Sequence, residues 1–328
     1  MAGSNSKTIL VTGGAGYIGA HTCKALSSAG FEPVSYDNLS RGNADAVLWG
    51  PFEQGDILDR EHLGDVIDRY RPAAVIHFAA LAYVSESVAS PGKYWHNNVT
   101  GSLTLVEAMR SRNINQFVFS SSCAVYGESP FQPICEDAPK RPVNPYGRSK
   151  LVVERLLQDC HPALKLNSVS LRYFNAAGAD LEREIGEKHE PETHLIPLAL
   201  NSVINPDQPI TVFGADYPTA DGTCIRDFVH VSDLADAHVK ALDYLHGKPG
   251  VHQFNLGTGQ GFSVLQVIEA VGQVTGVQPN VKHGPRRPGD PPVLVADPVK
   301  ANQELDWKPR YCKIQEMVES AWGWLNRR

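Results

Sequence analysis

The sequence predicts an α/β fold in which a doubly wound, mostly parallel sheet is followed by a smaller mixed α/β region at the C-terminal end. Two observations indicate this class. In the first half of the 328-residue chain, short apolar runs alternate with longer segments of helical periodicity, which is typical of a parallel sheet covered by helices on both faces. One run, AAVIHFAA at 73–80, is apolar at nearly every position, as expected of a strand buried on both sides.

Strand and helix patterns alternate as far as residue 174. The predicted strands lie at 8–13, 32–38, 51–57, 73–80, 114–122 and 166–174. The predicted helices lie at 20–30, 60–70, 97–111 and 146–160. Gly30 supports the end of the first helix, because glycine commonly closes a helix.

The rhythm changes after about Asn175, where loops lengthen and prolines become frequent. Helical periodicity returns at 263–276 and 313–328. We therefore expect two domains, the first over 7–178 and the second over 179–328. Some strands and helices of the second domain are expected to return to the core of the first.

The composition is that of an ordinary globular protein, with 42% apolar and 20% charged residues. A formal net charge of −6 argues against a nucleic-acid partner, since binding phosphate backbones requires a basic surface. No two of the six cysteines form a CxxC pair, so no metal site is predicted. No signal-peptide pattern or membrane-length apolar stretch occurs, so we expect a cytoplasmic protein without a membrane partner.

Three glycines spaced by three, Gly13, Gly16 and Gly19, connect the first strand to the first helix. Glycine lets a pyrophosphate approach the helix N-terminus, where free N–H groups and the helix dipole favour negative charge. Such a turn can also serve tight helix packing alone, but Asp37 ends the next strand. A carboxylate there accepts hydrogen bonds from ribose hydroxyls and repels a 2′-phosphate. The pattern predicts a Rossmann-type domain that binds NAD rather than NADP.

A second constellation, Ser122, Tyr146 and Lys150, follows in the chain. Tyr146 and Lys150 are four residues apart in a predicted helix, so their side chains share one face. A tyrosine hydroxyl is a poor base at neutral pH, but a nearby ammonium stabilises the phenolate. Tyr146 is therefore a candidate base for a substrate alcohol, Ser122 a hydrogen-bond partner of that alcohol, and NAD the hydride acceptor.

These motifs resemble the extended short-chain dehydrogenase/reductase family over nearly the whole chain, and within it the enzymes that invert C4 of nucleotide sugars. The stretches that carry the resemblance are VTGGAGYIGAHT, YDNLSRGN, GDI, FAALAYVSES, NNVTG, SSSCAVYGE, NPYGRSK, RYFNAAGA, GTCIRDFVHV, FNLGTGQGFSV and GPRRPGDPP.

The resemblance implies that NAD stays bound and is regenerated. The implied reaction is inversion at C4 of a UDP-hexose, from UDP-galactose to UDP-glucose, through a transient 4-keto sugar. UDP-xylose/UDP-arabinose and UDP-N-acetylhexosamines remain alternative substrates. The resemblance also implies a homodimer formed through two helices of the Tyr146 half.

The family pattern assigns individual residues as expectations. The catalytic residues would be Ser122, Tyr146 and Lys150. Cofactor contacts would come from Gly13, Gly16, Tyr17, Ile18, Asp37, Asn38, Leu39, Ser40, Gly42, Asp56, Ile57, Phe78, Ala79, Ala80, Asn97, Ser120, Tyr146, Lys150, Tyr173 and Phe174. Contacts to the UDP-sugar would come from Ser122, Tyr146, Asn175, His194, Leu195, Phe213, Arg226, Arg287, Asp290 and Leu294.

Three positions depart from the family pattern. Ala82 stands where many members have lysine, so one cofactor contact is missing or replaced. His194 replaces an asparagine. Leu294 occupies a position that is tyrosine or cysteine in other members and that limits the room beside the sugar C2 substituent. We hypothesise that Leu294 leaves a wider pocket than tyrosine, which would admit UDP-N-acetylhexosamines.

Two competing functions are less consistent with the residues. A nucleotide-sugar 4,6-dehydratase of this family places an Asp-Glu pair after the strand-five serine or threonine, whereas Cys123 and Ala124 stand here. A non-catalytic NAD-binding module would not require Ser122, Tyr146 and Lys150 together.

Overall fold

The computed structural model describes residues 7–287 and 290–327. Over these residues the strands are β1 (Thr8–Thr12), β2 (Glu32–Asp37), β3 (Phe52–Gln54), β4 (Ala74–His77), β5 (Gln116–Ser120), β6 (Asn167–Tyr173), β7 (Asn175–Ala177), β8 (Ile210–Phe213), β9 (Ile225–His230), β10 (Val251–Leu256), β11 (Gly261–Ser263), β12 (Val281–Gly284) and β13 (Val293–Leu294).

The α-helices of the same residues are α1 (Tyr17–Ser28), α2 (Arg60–Tyr70), α3 (Val84–Ala89), α4 (Pro91–Tyr94), α5 (Gly101–Arg110), α6 (Pro145–Leu164), α7 (Leu195–Ile204), α8 (Val231–Gly247), α9 (Val264–Thr275), α10 (Val299–Glu304) and α11 (Ile314–Leu325). A π-helical segment, Trp95–Thr100, joins α4 to α5. Short 3-10 turns lie at Ala44–Ala46 and Cys123–Val125.

Seven parallel strands form the main sheet in the order β10-β6-β5-β4-β1-β2-β3. The strand order reverses between β1 and β4. At such a reversal, the loops after the two strands leave in opposite directions and open a crevice at the carboxyl edge of the sheet. The predicted Rossmann-type doubly wound sheet is confirmed, and each of the six predicted strands occurs within a few residues of its expected bounds.

Helices cover the main sheet on both faces, which explains the apolar strands. On one face α1 and α8 pack against the sheet through residues such as Val11, Leu26 and Leu242. On the other face α2, α5 and α6 pack through residues such as Leu10 and Leu105. Because consecutive residues of a strand point to opposite faces, Leu10 and Val11 of β1 enter different cores.

The C-terminal region builds its own smaller layers. Strand β9 pairs with β7, β11 and β13, and β8 pairs with β12. Helices α7, α9 and α11 enclose a third core. Strand β10 and helix α8 belong instead to the main sheet and its helical layer. The domain boundary after residue 178 stays a prediction, and residues 288, 289 and 328 of the second predicted domain lie outside the described residues.

Within the described ranges, no helix combines the length and the apolar character that crossing a bilayer requires.

A buried ion pair links α6 to β6 beneath the carboxyl edge of the sheet. Arg172 donates to Glu154 through Nε at 2.9 Å and through Nη2 at 2.7 Å. Their side chains are 3% and 2% exposed. Ser121 donates a further hydrogen bond to Glu154 at 2.6 Å, and Arg172 also donates to the hydroxyl of Tyr126. Such a bidentate pair positions the residues of its two elements relative to each other.

We expect Arg172→Met to lower the free energy of unfolding by about 3–5 kcal/mol, because the charge of Glu154 would stay buried without its partner. The matched control is Arg69→Met, since Arg69 pairs with Glu53 at 2.6 Å on the surface with 58% of its side chain exposed. Exposed pairs contribute about 1 kcal/mol or less. Urea unfolding of the two variants compares these losses, and equal losses would contradict the assigned role of the buried pair.

Candidate active site

A cavity of about 430 Å³ opens at the carboxyl edge of the main sheet. The predicted cofactor residues that line it are Gly13, Gly16, Tyr17, Ile18, Asp37, Asn38, Ser40, Gly42, Ile57, Phe78, Ala79, Ala80, Asn97, Ser120, Tyr146, Lys150, Tyr173 and Phe174. The predicted substrate residues that line it are Ser122, Tyr146, Asn175, His194, Asp290 and Leu294. The structure therefore brings most residues of both groups to one cavity.

The glycine turn forms the part of the cavity wall between β1 and α1. Gly13 has a φ of +77°, and a Cβ atom there would lie 2.6 Å from the backbone nitrogen of Ala79. A Cβ atom on Gly19 would lie 2.1 Å from the carbonyl oxygen of Gly13. Gly16 caps α1 without any side-chain hydrogen bond. The helix N-terminus therefore faces the cavity without a side chain over it, which fits a pyrophosphate group.

Asp37 ends β2 beside this turn and is 8% exposed. Its carboxylate accepts hydrogen bonds from the backbone N–H groups of Ala15 at 3.1 Å and Leu39 at 2.9 Å. Burial raises the pKa of Asp37, and these two hydrogen bonds oppose that shift. Each carboxylate oxygen holds a further lone pair, so the group fits a ribose diol. Leu39 contributes its backbone N–H to Asp37. The φ of Leu39 is 59°, and the residue lies outside the cavity wall.

Asp56 also lies outside the cavity wall, although Ile57 next to it lines the cavity. The carboxylate of Asp56 accepts a hydrogen bond from Asn38 Nδ2 at 2.8 Å. Asp56 thus orients Asn38, which does line the cavity.

Ser122, Tyr146 and Lys150 meet at the ends of β5 and α6. Pro145 starts α6, and Asn144 caps it by accepting from the N–H of Gly147 at 2.8 Å. The cap places Tyr146 in the first turn of the helix and Lys150 one turn later, facing the strand. Ser122 directly precedes a 3-10 turn and accepts from the N–H of Ala124 at 3.2 Å.

Burial governs the protonation of this group. Tyr146 is 9% exposed and Lys150 is 3% exposed. Lys150 Nζ donates to the carbonyl of Ser120 at 2.7 Å and lies 5.9 Å from the centre of the Tyr146 ring. Burial lowers the pKa of Lys150 to about 7, and the nearby charge of Glu154 opposes the shift. Burial raises the pKa of Tyr146 above its usual range, and Ser122 acts in the opposite direction.

Four predicted substrate residues lie outside the cavity wall. Leu195 begins α7 and packs against the third core. Arg226 forms an ion pair with Asp290 at 2.5 Å. The guanidinium of Arg287 stacks on the Phe213 ring, 4.0 Å from its centre. Their binding roles stay predictions. The Arg226–Asp290 pair connects β9 to the cavity wall, because Asp290 lines the cavity.

A segment at 187–194, which we call the strap, supplies another part of the wall. His194 Nδ1 lies 2.6 Å from Glu187 and 3.1 Å from Glu192. Although burial opposes its charge, these carboxylates raise the pKa of His194 to about 10. The histidines His189 and His194 lower the pKa of the buried Glu187 to about 2. His194 is therefore a cation at neutral pH on the cavity wall, which suits contact with a phosphate.

The sequence analysis missed several residues that line the cavity, namely Arg41, Tyr83, Glu86, Glu187 and His189. The alternation of acids and histidines at 187–194 was a visible signal. Runs of charged residues are most often exposed surface, so this alternation does not by itself indicate a cavity wall, and of these residues the sequence pattern singled out His194 alone. Arg41 lay within the quoted stretch YDNLSRGN, but its position beside the cavity depends on how the loop after β2 folds.

Residues 9–257 match the model of the NAD dependent epimerase/dehydratase family. The UDP-glucose 4-epimerase of Rhizobium meliloti (strain 1021) is 49% identical over 323 residues, which cover 98% of each chain. The crystal structure of UDP-glucose 4-epimerase from Brucella ovis in complex with NAD matches with a TM-score of 0.94 and 48% identity, over 96% of this chain and 97% of that one.

A second solved structure, the UDP-glucose-4-epimerase from Stenotrophomonas maltophila with bound NAD and formylated UDP-arabinopyranose, matches with a TM-score of 0.93. It is 41% identical, and 97% of each chain is covered. The chain therefore belongs to the NAD-dependent epimerase/dehydratase family.

We expect Lys150→Met to raise the stability of the NAD-free protein at pH 6 by on the order of a few kcal/mol, because the ammonium pays a desolvation cost in the folded state. The pKa of Lys150 is about 7 in the folded protein, against 10.5 ordinarily. The cost is therefore complete below pH 7 and disappears as the pH rises to 10.5. Thermal unfolding across this pH range measures the difference, and a gain independent of pH would contradict the burial argument.

Proposed function

We propose that the protein is an NAD-dependent epimerase that inverts C4 of a UDP-hexose, interconverting UDP-galactose and UDP-glucose through a transient 4-keto sugar. One observation carries this conclusion. Ser122, Tyr146 and Lys150 share a single cavity with the glycine turn and Asp37. Cofactor-holding and proton-transferring groups are thus within reach of one substrate carbon.

The residues suited to hold NAD are the glycine turn for the pyrophosphate, Asp37 for the adenosine ribose and Lys150 at the nicotinamide end. When bound, NAD supplies a reversible acceptor for the hydride of the carbon that bears the alcohol. Since the hydride returns to the same carbon, the reaction needs no net oxidant.

Tyr146 is the group that we assign to the proton of the sugar 4-hydroxyl. In the free protein its proton is held tightly, because burial disfavours the phenolate. Positive charge close to the ring favours the phenolate, and the ammonium of Lys150 is the nearby side chain that supplies it. Ser122 is placed to hydrogen-bond the substrate oxygen before and after the proton moves.

The UDP group would anchor the substrate in the site while the sugar rotates. Epimerisation requires the 4-keto sugar to present its other face to the same catalytic groups. Binding energy from the non-reacting part of the substrate then has to hold the molecule while the sugar turns. The cationic His194 and the amide of Asn175, which both line the cavity, support this assignment.

Leu294 supports a second activity, on UDP-N-acetylhexosamines. It lines the cavity and pairs in register with Arg226 across β13 and β9. An aliphatic side chain leaves more room there than a tyrosine ring and makes no hydrogen bond. A pentose lacks bulk at the opposite end of the sugar, so this position does not discriminate against UDP-xylose.

We also propose a homodimer, formed through the segment that includes α3 and α5. Large apolar side chains are exposed along it, namely Val84 at 47%, Val88 at 63%, Trp95 at 38% and Leu103 at 41%. Several exposed large apolar side chains within 20 residues of one another in the chain favour an interaction surface there. A cytoplasmic location is proposed as well, supported by six cysteines that are all free thiols.

The central test is turnover of UDP-galactose without added NAD, with UDP-N-acetylgalactosamine and UDP-xylose assayed beside it. We expect UDP-glucose to form, and we expect Tyr146→Phe to lower turnover by about 10²–10⁴-fold while NAD content is unchanged. Tyr244→Phe is the control, since that hydroxyl donates to Glu304 on α10, away from the cavity. Wild-type protein that converts no UDP-sugar, or a Tyr146→Phe variant as active as the control, would refute the proposal.

For the oligomer, we expect Leu103→Glu to shift the mass in solution from dimer to monomer, because it would bury a charge in the proposed interface. Val299→Glu is the control, since Val299 is 52% exposed on α10, outside the segment. Light scattering after size-exclusion chromatography measures both variants. A monomeric wild-type protein would rule out the dimer.

A further inference from the structure

Three segments that are distant in the sequence meet at one side of the cavity. They are the loop after β2, the loop after β4 with α3, and the strap at 187–194. Residues of all three line the cavity. The loop after β2 is also tied to the glycine turn, since Asn43 donates its backbone N–H to the carbonyl of Ala15 at 2.9 Å.

Arg41 contacts all of these segments. From the loop after β2, its guanidinium lies over the ring of Tyr83, 4.6 Å from the ring centre. One terminal nitrogen donates to Glu86 at 3.3 Å, and the other donates to the backbone carbonyl of Glu190 in the strap at 3.1 Å. Glu86 also accepts hydrogen bonds from the Tyr94 hydroxyl at 2.9 Å and from Lys93 at 2.7 Å, so its position does not depend on Lys93 alone.

Tyr83 and the glycine turn make further contacts with the strap. The Tyr83 hydroxyl donates to the carbonyl of Pro191 at 3.3 Å. The His189 ring packs edge-on against Tyr83 and Tyr17, with ring centres 6.1 and 6.4 Å apart. Inside the strap, His189 and His194 both bond to Glu187. The strap is therefore held together by its own ion pairs. The contacts described above attach it to the wall formed by the loops after β2 and β4.

Charge gives a second reason to single out Arg41. Among the described residues that line the cavity, Arg41 and Lys150 are the lysine and arginine side chains. Lys150 is occupied by the carbonyl of Ser120 at the strand end. Ala82, next to Tyr83, carries no charge. Arg41 is thus the cation on the wall beside the glycine turn, where a pyrophosphate fits.

We propose that Arg41 is a positioning residue that retains NAD, by fastening the strap to the cofactor-binding wall. The inference rests on the proposed function only in requiring that the protein binds NAD. A cofactor that is regenerated in every turnover gains nothing from exchange, so slow release is compatible with the reaction. When the Arg41 contacts break, the strap loses its link to the loop after β2 and its indirect link to Glu86, while the Tyr83 contacts remain, and NAD leaves faster.

The test is the rate of NAD release from the loaded protein, followed at 340 nm by alcohol dehydrogenase and ethanol, which reduce each NAD that comes free. We expect Arg41→Gln to release NAD about tenfold faster, the effect of losing one charged hydrogen bond. Arg41→Lys keeps the charge but not the two-pronged geometry, and should fall between Arg41→Gln and wild type. Tyr83→Phe removes only the bond to Pro191 and should have a smaller effect.

Lys93→Gln is the matched control, because Lys93 shares the partner Glu86 but does not line the cavity, and its release rate should equal that of wild type. The unfolding temperature of each NAD-free variant should also equal that of wild type, which separates retention from folding. Equal release by Arg41→Gln and wild type, or an equal acceleration in Lys93→Gln, would overturn the role of Arg41. Wild-type protein that never binds NAD would instead overturn the proposed function.

Discussion

The buried ammonium of Lys150 is the group on which the rest of the site depends. A lysine that is 3% exposed needs partners for its charge. The structure provides the carbonyl of Ser120 at 2.7 Å and, one helical turn away, the carboxylate of Glu154. Glu154 is fixed in turn by Arg172 on the neighbouring strand. The position of Lys150, and with it the position of Tyr146 on the same helix, is therefore set by the joint between α6 and the sheet.

The walls of the cavity come from two different parts of the chain. The glycine turn, Asp37 and the Ser122–Tyr146–Lys150 group are attached to strands and helices of the main sheet. The strap and Asp290 come from the C-terminal region, where long loops and ion pairs hold the chain. Such a division suits the proposed reaction, because the cofactor and the catalytic groups must stay in place while the sugar changes its orientation.

Six of the seven strands of the main sheet and most of the cavity could be predicted because their signals are local. Apolar runs, the glycine spacing and the four-residue interval between Tyr146 and Lys150 each lie within a short stretch of chain. These local signals do not reveal contacts between residues that are far apart in the sequence. Nothing near Arg41 in the sequence indicates that it reaches Glu190, and nothing near Asp56 indicates that its carboxylate accepts a hydrogen bond from Asn38. The membership of β10 in the main sheet was anticipated only in general terms, since its pairing with β6 joins residues about 80 positions apart.

The sequence by itself determined the fold class and the kind of cofactor, and it predicted Ser122, Tyr146 and Lys150 as the catalytic residues, because backbone flexibility, charge and helical spacing are properties of residues and their near neighbours. The protonation of Lys150 and His194, and which segments close around the site, could be known only from the tertiary structure. The pKa of Lys150 falls because of burial by several elements, and that of His194 rises because the strap folds Glu187 and Glu192 against it. Desolvation and paired charge depend on what surrounds a side chain in space, and that environment is assembled from segments far apart in the chain.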